Sequence, residues 1–199
     1  RYGRRQRQMC IRDSYIFAQM ESIPYDKRSG KIWFNGKAVE WKDANIHILN
    51  HGLHYASCVF EGERVYDGEI LRLEEHTERL FYSAKRMGIK VPYSQTEINE
   101  ACKAIVNIQK VQNGYVRPLI WRGSEMMAIS AQKNKIHVAI ATWEWGSYFD
   151  PKLKLNGIKL DISSWRKPAP NTIPWDTKAA GLYMILSLIH ISEPTRHES

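Results

Sequence analysis

VFEGERVYDGEILRLEEHTERLFYSAKRMG, Val59 to Gly88, changes its period halfway along. Val59 to Tyr66 is rich in β-formers, Asp67-Gly68 is a hairpin turn signal, and Glu69 to Leu73 reads as the returning strand. From Glu74 to Met87 the spacing becomes helical. Leu80, Ala84 and Met87 share one face, with Leu73 a turn earlier, and Gly88 suits the end of the helix. A hairpin that runs straight into an amphipathic helix points to α+β architecture.

The flanks extend the pattern. Ile32 to Val39 is a second hairpin, with Asn35-Gly36 as its type I′ turn. Asp43 to Leu49 is expected to lead into a strand, and Asn50 to Ser57 to form a compact turn with one helical turn in it. Downstream, Ser94 and Glu97 spell a capping box that opens a second helix. Ile98, Cys102, Ile105 and Ile108 would line its apolar face, and Asn113-Gly114 would close it. Tyr115 to Trp121 and Ile136 to Trp143 are β-rich runs. Gly146 to Leu155 reads as a linker and Gly157 to Ser163 as a new strand.

This organisation predicts a small N-terminal domain over residues 15–149, a linker over 150–156, and the truncated start of a larger domain over 157–185. Residues 1–14 and 186–199 show no periodicity; they look like translated sequencing-adaptor sequence and are set aside as non-native extensions. A chain that stops within its second domain is expected to be inactive and poorly soluble alone, because a strand without its sheet promotes association.

With 43% apolar and 25% charged residues, the 199-residue chain has the composition of a soluble globular protein. Its longest apolar run, Tyr183 to Ile191, is too short to cross a bilayer. Cys10, Cys58 and Cys102 form neither a paired framework nor a CxxC, which fits a reducing cytoplasm. The formal charge is +8, of which +4 sits in residues 1–14. The +5 of residues 15–185 suits anionic substrates as well as it suits nucleic acid, and no nucleic-acid-binding motif accompanies it. His47, His51 and His54 are the metal candidates by spacing, yet no third ligand follows and HExxH is absent; they read better as histidines bonded to backbone around a turn.

The chemistry points to SSWRKPAPNTIPWDTKAAGLY, Ser163 to Tyr183. Pro168, Pro170 and Pro174 make a rigid, irregular lead-in that delivers one lysine, Lys178. Ala179, Ala180 and Gly181 then let another body approach the backbone. Such a lysine suits Schiff-base chemistry, although by composition alone a solvated loop lysine is the better reading.

That stretch resembles the cofactor-lysine segment of the branched-chain amino acid aminotransferases, which are fold-type IV, class IV pyridoxal-phosphate enzymes. IWFNGKAVEWKDANIHILNHGLHYASCVFEGERVY (Ile32 to Tyr66), EEHTERL (Glu74 to Leu80) and YVRPLIW (Tyr115 to Trp121) resemble the same family, and the likeness runs from about Lys31 to Met184. The resemblance implies that family's fold: a small N-terminal α/β domain, then the larger domain, with the cofactor between them. It implies pyridoxal 5'-phosphate as cofactor, with Lys178 as the Schiff-base lysine, Arg79 as the phosphate arginine and Tyr183 as donor to the cofactor's phenolic oxygen. Tyr55, Phe60, Tyr115, Arg117, Trp145 and Tyr148 match substrate-pocket residues. Tyr115 and Arg117 serve substrate carboxylates, and the aromatics wall an apolar side-chain pocket. Tyr55 resembles a residue that reaches a neighbouring subunit's pocket, so a homo-oligomer is implied, a dimer or a hexamer of dimers.

The implied reaction is transamination of leucine, isoleucine or valine with 2-oxoglutarate, giving branched 2-oxo acids and glutamate. The alternatives are another enzyme of this fold (a D-amino acid aminotransferase or aminodeoxychorismate lyase) and a non-catalytic basic nucleic-acid-binding fragment. The expected partners are small molecules, with no nucleic acid and no membrane. Two features depart from the family or fall outside the match. The pyridine-nitrogen partner, the second phosphate loop and the α-carboxylate loop lie beyond the match, and Trp175 and Asp176 stand where many relatives carry smaller residues.

Overall fold

The structure is a computed structural model that describes residues 23–146, 155 and 166–186. Tyr148, the expected strand Gly157 to Ser163, nearly all of the linker, residues 1–14 and residues 187–199 lie outside the described residues.

The two hairpins form as the turn residues require. Lys31–Phe34 (β1) returns as Lys37–Glu40 (β2) through Asn35 (φ 49°) and Gly36 (φ 94°). Glu63–Tyr66 (β4) returns as Glu69–Ile70 (β5) through Asp67 (φ 51°) and Gly68 (φ 82°). Positive φ at both central residues is the type I′ geometry that matches strand twist. Between the hairpins lie a short helix, His51–Tyr55 (α1), and Cys58–Phe60 (β3). Leu73–Arg86 (α2) and Gln95–Gln109 (α3) follow, then the long strands Gly114–Arg122 (β6) and Ile136–Glu144 (β7).

All strand pairings are antiparallel, in the order β2-β1-β7-β6-β4-β5, with β3 also on β6. Both helices cover one face. Leu73, Leu80 and Ala84 of α2 and Ile98, Cys102, Ile105 and Val106 of α3 pack with Val59, Val65, Val116, Ile120, Val138 and Ile140 of the sheet. Alternation along β6 buries Val116 and Ile120 in that core and turns Tyr115 and Arg117 to the other face.

Five expectations change. The returning strand is shorter than Glu69 to Leu73: β5 stops at Ile70, and Leu73 already opens α2. Val59 to Tyr66 is two strands, interrupted at Glu61-Gly62 opposite Pro118 of β6. Glu61 N–H donates to the Pro118 carbonyl at 2.9 Å, but Pro118 has no N–H to return, so the ladder breaks there. Asp43 to Leu49 leads into no strand: Trp41–Asp43 is a 3₁₀ turn, the chain then runs irregularly, and the short helix α1 follows. Helix α3 ends earlier than Asn113-Gly114, at Lys110 in the left-handed region (φ 55°), and Gly114 already belongs to β6. Ile108 is half exposed; Ala101 and Val106 take its place in the core.

Part of the segment 166–186 packs on this domain. Ala179 bridges to Val59, and Ala179 and Leu182 join the same core.

Candidate active site

The ladder break puts Phe60, Glu61 and Gly62 at the centre of a group of polar and aromatic side chains. These side chains come from α2, β6 and the segment around Lys178.

The proline-rich lead-in is a pair of tight turns: Thr172 N–H donates to Ala169 O (3.0 Å) and Thr177 N–H to Pro174 O (3.1 Å). They hand Lys178 to a position where both its backbone groups are used. Its N–H donates to Ser83 Oγ of α2 at 3.0 Å, and its carbonyl accepts from Phe60 N–H at 3.1 Å. The side chain reaches over the Phe60 ring (Nζ to centroid 4.9 Å) and donates to the Tyr183 hydroxyl at 3.2 Å. Tyr183 meets Phe60 edge to face at 4.9 Å. The small residues after the lysine do what their size suggests: a Cβ on Gly181 would stand 3.0 Å from Ala56 Cβ.

Arg79, half exposed on α2, forks onto the fully buried Glu61 through Nε (2.6 Å) and Nη2 (2.7 Å). His76, one turn earlier, bonds the same carboxylate through Nδ1 at 2.9 Å. Burial pushes the Glu61 carboxyl up, but hydrogen bonds from Arg79 and His76 and the charges of Arg79 and Lys178 outweigh it and bring it down to about 2. The hydrogen bond to Glu61 in turn raises Arg79 above its ordinary value. This fixes the guanidinium as a cation with its Nη1 edge turned away from Glu61.

On the far face of the sheet, Arg117 Nη2 donates to the Tyr115 hydroxyl at 3.1 Å, and its guanidinium lies 4.6 Å from the Phe60 ring centre. Arg117 Nε is buried without a hydrogen-bond partner among the described residues. Such a donor suits an incoming carboxylate. Trp145 and Trp143 stand 5.6 and 5.2 Å from the Tyr115 ring. Gly62 allows this arrangement, since a Cβ there would fall 1.7 Å from the Tyr115 hydroxyl oxygen.

Lys178, Tyr183 and Arg117 therefore meet around Phe60, Tyr115 adjoins Arg117 and Trp145 adjoins Tyr115, and Arg79 joins them through Glu61, which feels the Lys178 charge. Tyr55 does not join them: it lies against His51 at 4.6 Å and donates to Met127 O at 3.3 Å, nearly half exposed. The histidines around it serve the turn. His51 bonds Ser57 Oγ (2.7 Å) and Ala128 O (3.2 Å), and His54 bonds Ile48 O (2.9 Å). Sequence reasoning assigned no role to Glu61, His76, Ser83 and Asp176. The available signal was Glu61 and Glu63 on the inward side of a β run, where a buried carboxylate needs a cation or a proton.

Residues 58–179 match the family described as Amino-transferase class IV. The chain is 42% identical over 170 residues to the branched-chain-amino-acid aminotransferase of Pseudomonas aeruginosa, covering 83% of this chain and 55% of that protein. To the branched-chain-amino-acid aminotransferase of Escherichia coli it is 40% identical over 176 residues, covering 86% and 57%. The chain thus spans about half the length of the curated relatives it matches. Among solved structures it is similar to the T.th. branched-chain amino acid aminotransferase with pyridoxamine 5'-phosphate (TM-score 0.78, 34% identity, 83% of this chain and 56% of that one). The same enzyme complexed with 4-methylvaleric acid gives a TM-score of 0.75 at 33% identity, covering 83% and 55%.

Proposed function

The chain belongs to the class IV aminotransferase family, and from that premise we propose that it carries the lysine site of a branched-chain amino acid transaminase using pyridoxal 5'-phosphate. The observation that carries this reading is the delivery of Lys178 Nζ over Phe60, 3.2 Å from the Tyr183 hydroxyl, with the Lys178 charge acting on the same Glu61 that holds the Arg79 cation. A phosphorylated aromatic aldehyde needs an amine, a flat wall, a donor for its ring oxygen and a cation for its phosphate. Lys178, Phe60, Tyr183 and Arg79 are those four groups, so the residues fit the cofactor.

When bound, the cofactor supplies the electron sink. The rest falls to side chains of this chain. Lys178 Nζ holds or releases the proton that moves at the substrate α-carbon. Tyr183 orients that amine through its hydroxyl. Glu61 fixes the Arg79 fork, so the phosphate cation is set before ligand arrives. Arg117 and Tyr115 supply donors for carboxylate, and Phe60, Trp143 and Trp145 give the apolar wall a branched side chain needs. Tyr148 is part of this proposal on the resemblance alone. The substrates follow: leucine, isoleucine or valine in one half-reaction, 2-oxoglutarate and glutamate in the other.

The reading extends to self-association as a homodimer. Ile46 and Leu53, both exposed, line a trough of about 400 Å³ with Phe34, Leu119, Trp121 and Arg117, and Ile48, Leu49 and Tyr55 of the same segment are exposed as well. A contiguous apolar face of this kind suits a second copy, and it would bring Tyr55 toward a partner's pocket.

Reduction with borohydride after addition of pyridoxal phosphate, followed by peptide mapping, is the test. The label is expected on Lys178 and absent from Lys178→Ala. Labelling of a different lysine in the parent chain overturns the assignment. Assay with L-leucine and 2-oxoglutarate, against D-alanine, in a chain of the relatives' full length, then checks the substrate class.

A further inference from the structure

Helix α2 carries more than the phosphate cation. Arg79, Tyr82, Ser83 and Arg86 stand at i, i+3, i+4 and i+7, so they lie along one side of the helix. Each has a partner in the site or in the segment that delivers Lys178. Arg79 holds Glu61. Ser83, fully buried, accepts the Lys178 backbone N–H at 3.0 Å. Tyr82 donates its hydroxyl to Asp176 Oδ2, and Arg86 Nη2 stands 3.5 Å from Asp176 Oδ1. The Tyr82 hydrogen bond holds the Asp176 carboxyl below its usual range. On the opposite side the lysine peptide is tied to β3, through Phe60 N–H and the Val59–Ala179 bridge.

We infer that Ser83 and Asp176 are positioning residues that fix the Lys178 segment in register on helix α2, so that one element sets both the amine and the phosphate cation. The lead-in before Lys178 has no regular structure of its own to hold it. Its two turns fix local shape, and the α2 contacts fix where that shape sits. Asp176 reaches the outer end of the side with its carboxylate; a smaller apolar residue there would have nothing to offer the Tyr82 hydroxyl or the Arg86 guanidinium. The inference rests on the transaminase reading for what Lys178 does, but the geometry it asserts exists without cofactor.

The experiment uses the whole chain and two kinds of measurement. First, amide hydrogen exchange is followed without cofactor. Ser83→Ala should speed exchange at the Lys178 amide by roughly five- to tenfold, the effect of losing one net hydrogen bond. The Ile120 and Val138 amides in the core strands should stay unchanged, and Ser83→Thr should restore Lys178. Second, the rate of borohydride-trapped labelling of Lys178 is measured with pyridoxal phosphate and with pyridoxal, which lacks the phosphate. Ser83→Ala and Asp176→Ala should slow both reagents by the same factor, because the amine is misplaced. Arg79→Ala should slow the phosphorylated reagent alone.

If the parent labels at another lysine, the transaminase reading fails while the exchange result still stands or falls by itself. If the parent labels at Lys178 and both variants behave as the parent, the positioning role is overturned. Should Ser83→Ala loosen the whole core, Asp176→Ala decides. That residue sits at the surface, where its loss leaves the core packing intact, and an unchanged pyridoxal rate there overturns the inference.

Discussion

Glu63 and Arg117 both face buried surroundings with an unsatisfied polar atom, and they call for opposite responses. Neither carboxylate oxygen of Glu63 has a hydrogen-bond partner among the described residues, and the side chain is fully buried. Burial, reinforced by the charge of Glu61, pushes its carboxyl up to about 8. Between the unfolded value near 4.5 and 8, the folded chain keeps a proton that the unfolded chain releases. Stability should therefore fall as pH rises through that window, by at most about 1.4 kcal/mol per pH unit. Glu61, lowered to about 2, acts in the other direction and only below 4.5. Glu63→Gln should accordingly be more stable than the parent, by a margin that widens from pH 5 to pH 8 in thermal melts; a constant margin would show that Glu63 is ionised in the fold. Arg117 instead has a buried Nε without a partner among the described residues. On the proposed transaminase reading, Arg117→Gln should harm 2-oxoglutarate and glutamate more than leucine, since dicarboxylic substrates would bring the extra carboxylate. Equal losses in kcat/KM for both half-reactions would assign Arg117 a structural role.

Helix α3 is tied down at its start by a reciprocal cap. Ser94 Oγ accepts Glu97 N–H at 3.2 Å, and Glu97 Oε2 accepts Ser94 N–H at 2.7 Å. The cap positions Ile98, Cys102 and Ile105 against the sheet. Ser94→Ala should cost about 1 kcal/mol, a fall in melting temperature of about 2–4 °C, with the Lys178 labelling rate unchanged. A drop in labelling with it would mean that α3 and the lysine segment are coupled. Helix α2 has no such cap hydrogen bond. Its first residue follows Arg72 in the left-handed region (φ 52°). It is held by burying Leu73, Leu80 and Ala84 and by the polar side described above.

Among the described residues the two faces of the sheet are covered unequally. The long helices α2 and α3 cover one face, and the other keeps the trough that Leu53 of α1, itself 59% exposed, helps to line. If a second copy covers that face, Leu53→Glu should shift the sedimentation profile toward monomer while leaving Lys178 labelling in place. Unchanged mass at equal concentration would remove the self-association proposal and leave the site untouched.

Local signals fix much of this protein. Asn-Gly and Asp-Gly dictate two hairpins because positive φ at both turn residues has few other occupants, and Ser94 with Glu97 dictates a helix start by satisfying its own orphan donors. The place of Lys178 was legible through prolines that exclude helix and strand, and through a resemblance carried by residues 32–184. What lies between distant residues was not legible. Glu61 and Arg79 are 18 positions apart and Ser83 and Lys178 are 95 apart, and no period links them. Pro118 divides a strand that its own residues would have left whole, because a missing N–H matters only to the neighbour across the ladder. Partner choice for a buried carboxylate or a backbone amide depends on which groups packing leaves within reach of about 3 Å. For Glu61, Glu63 and Ser83, the tertiary structure decided that.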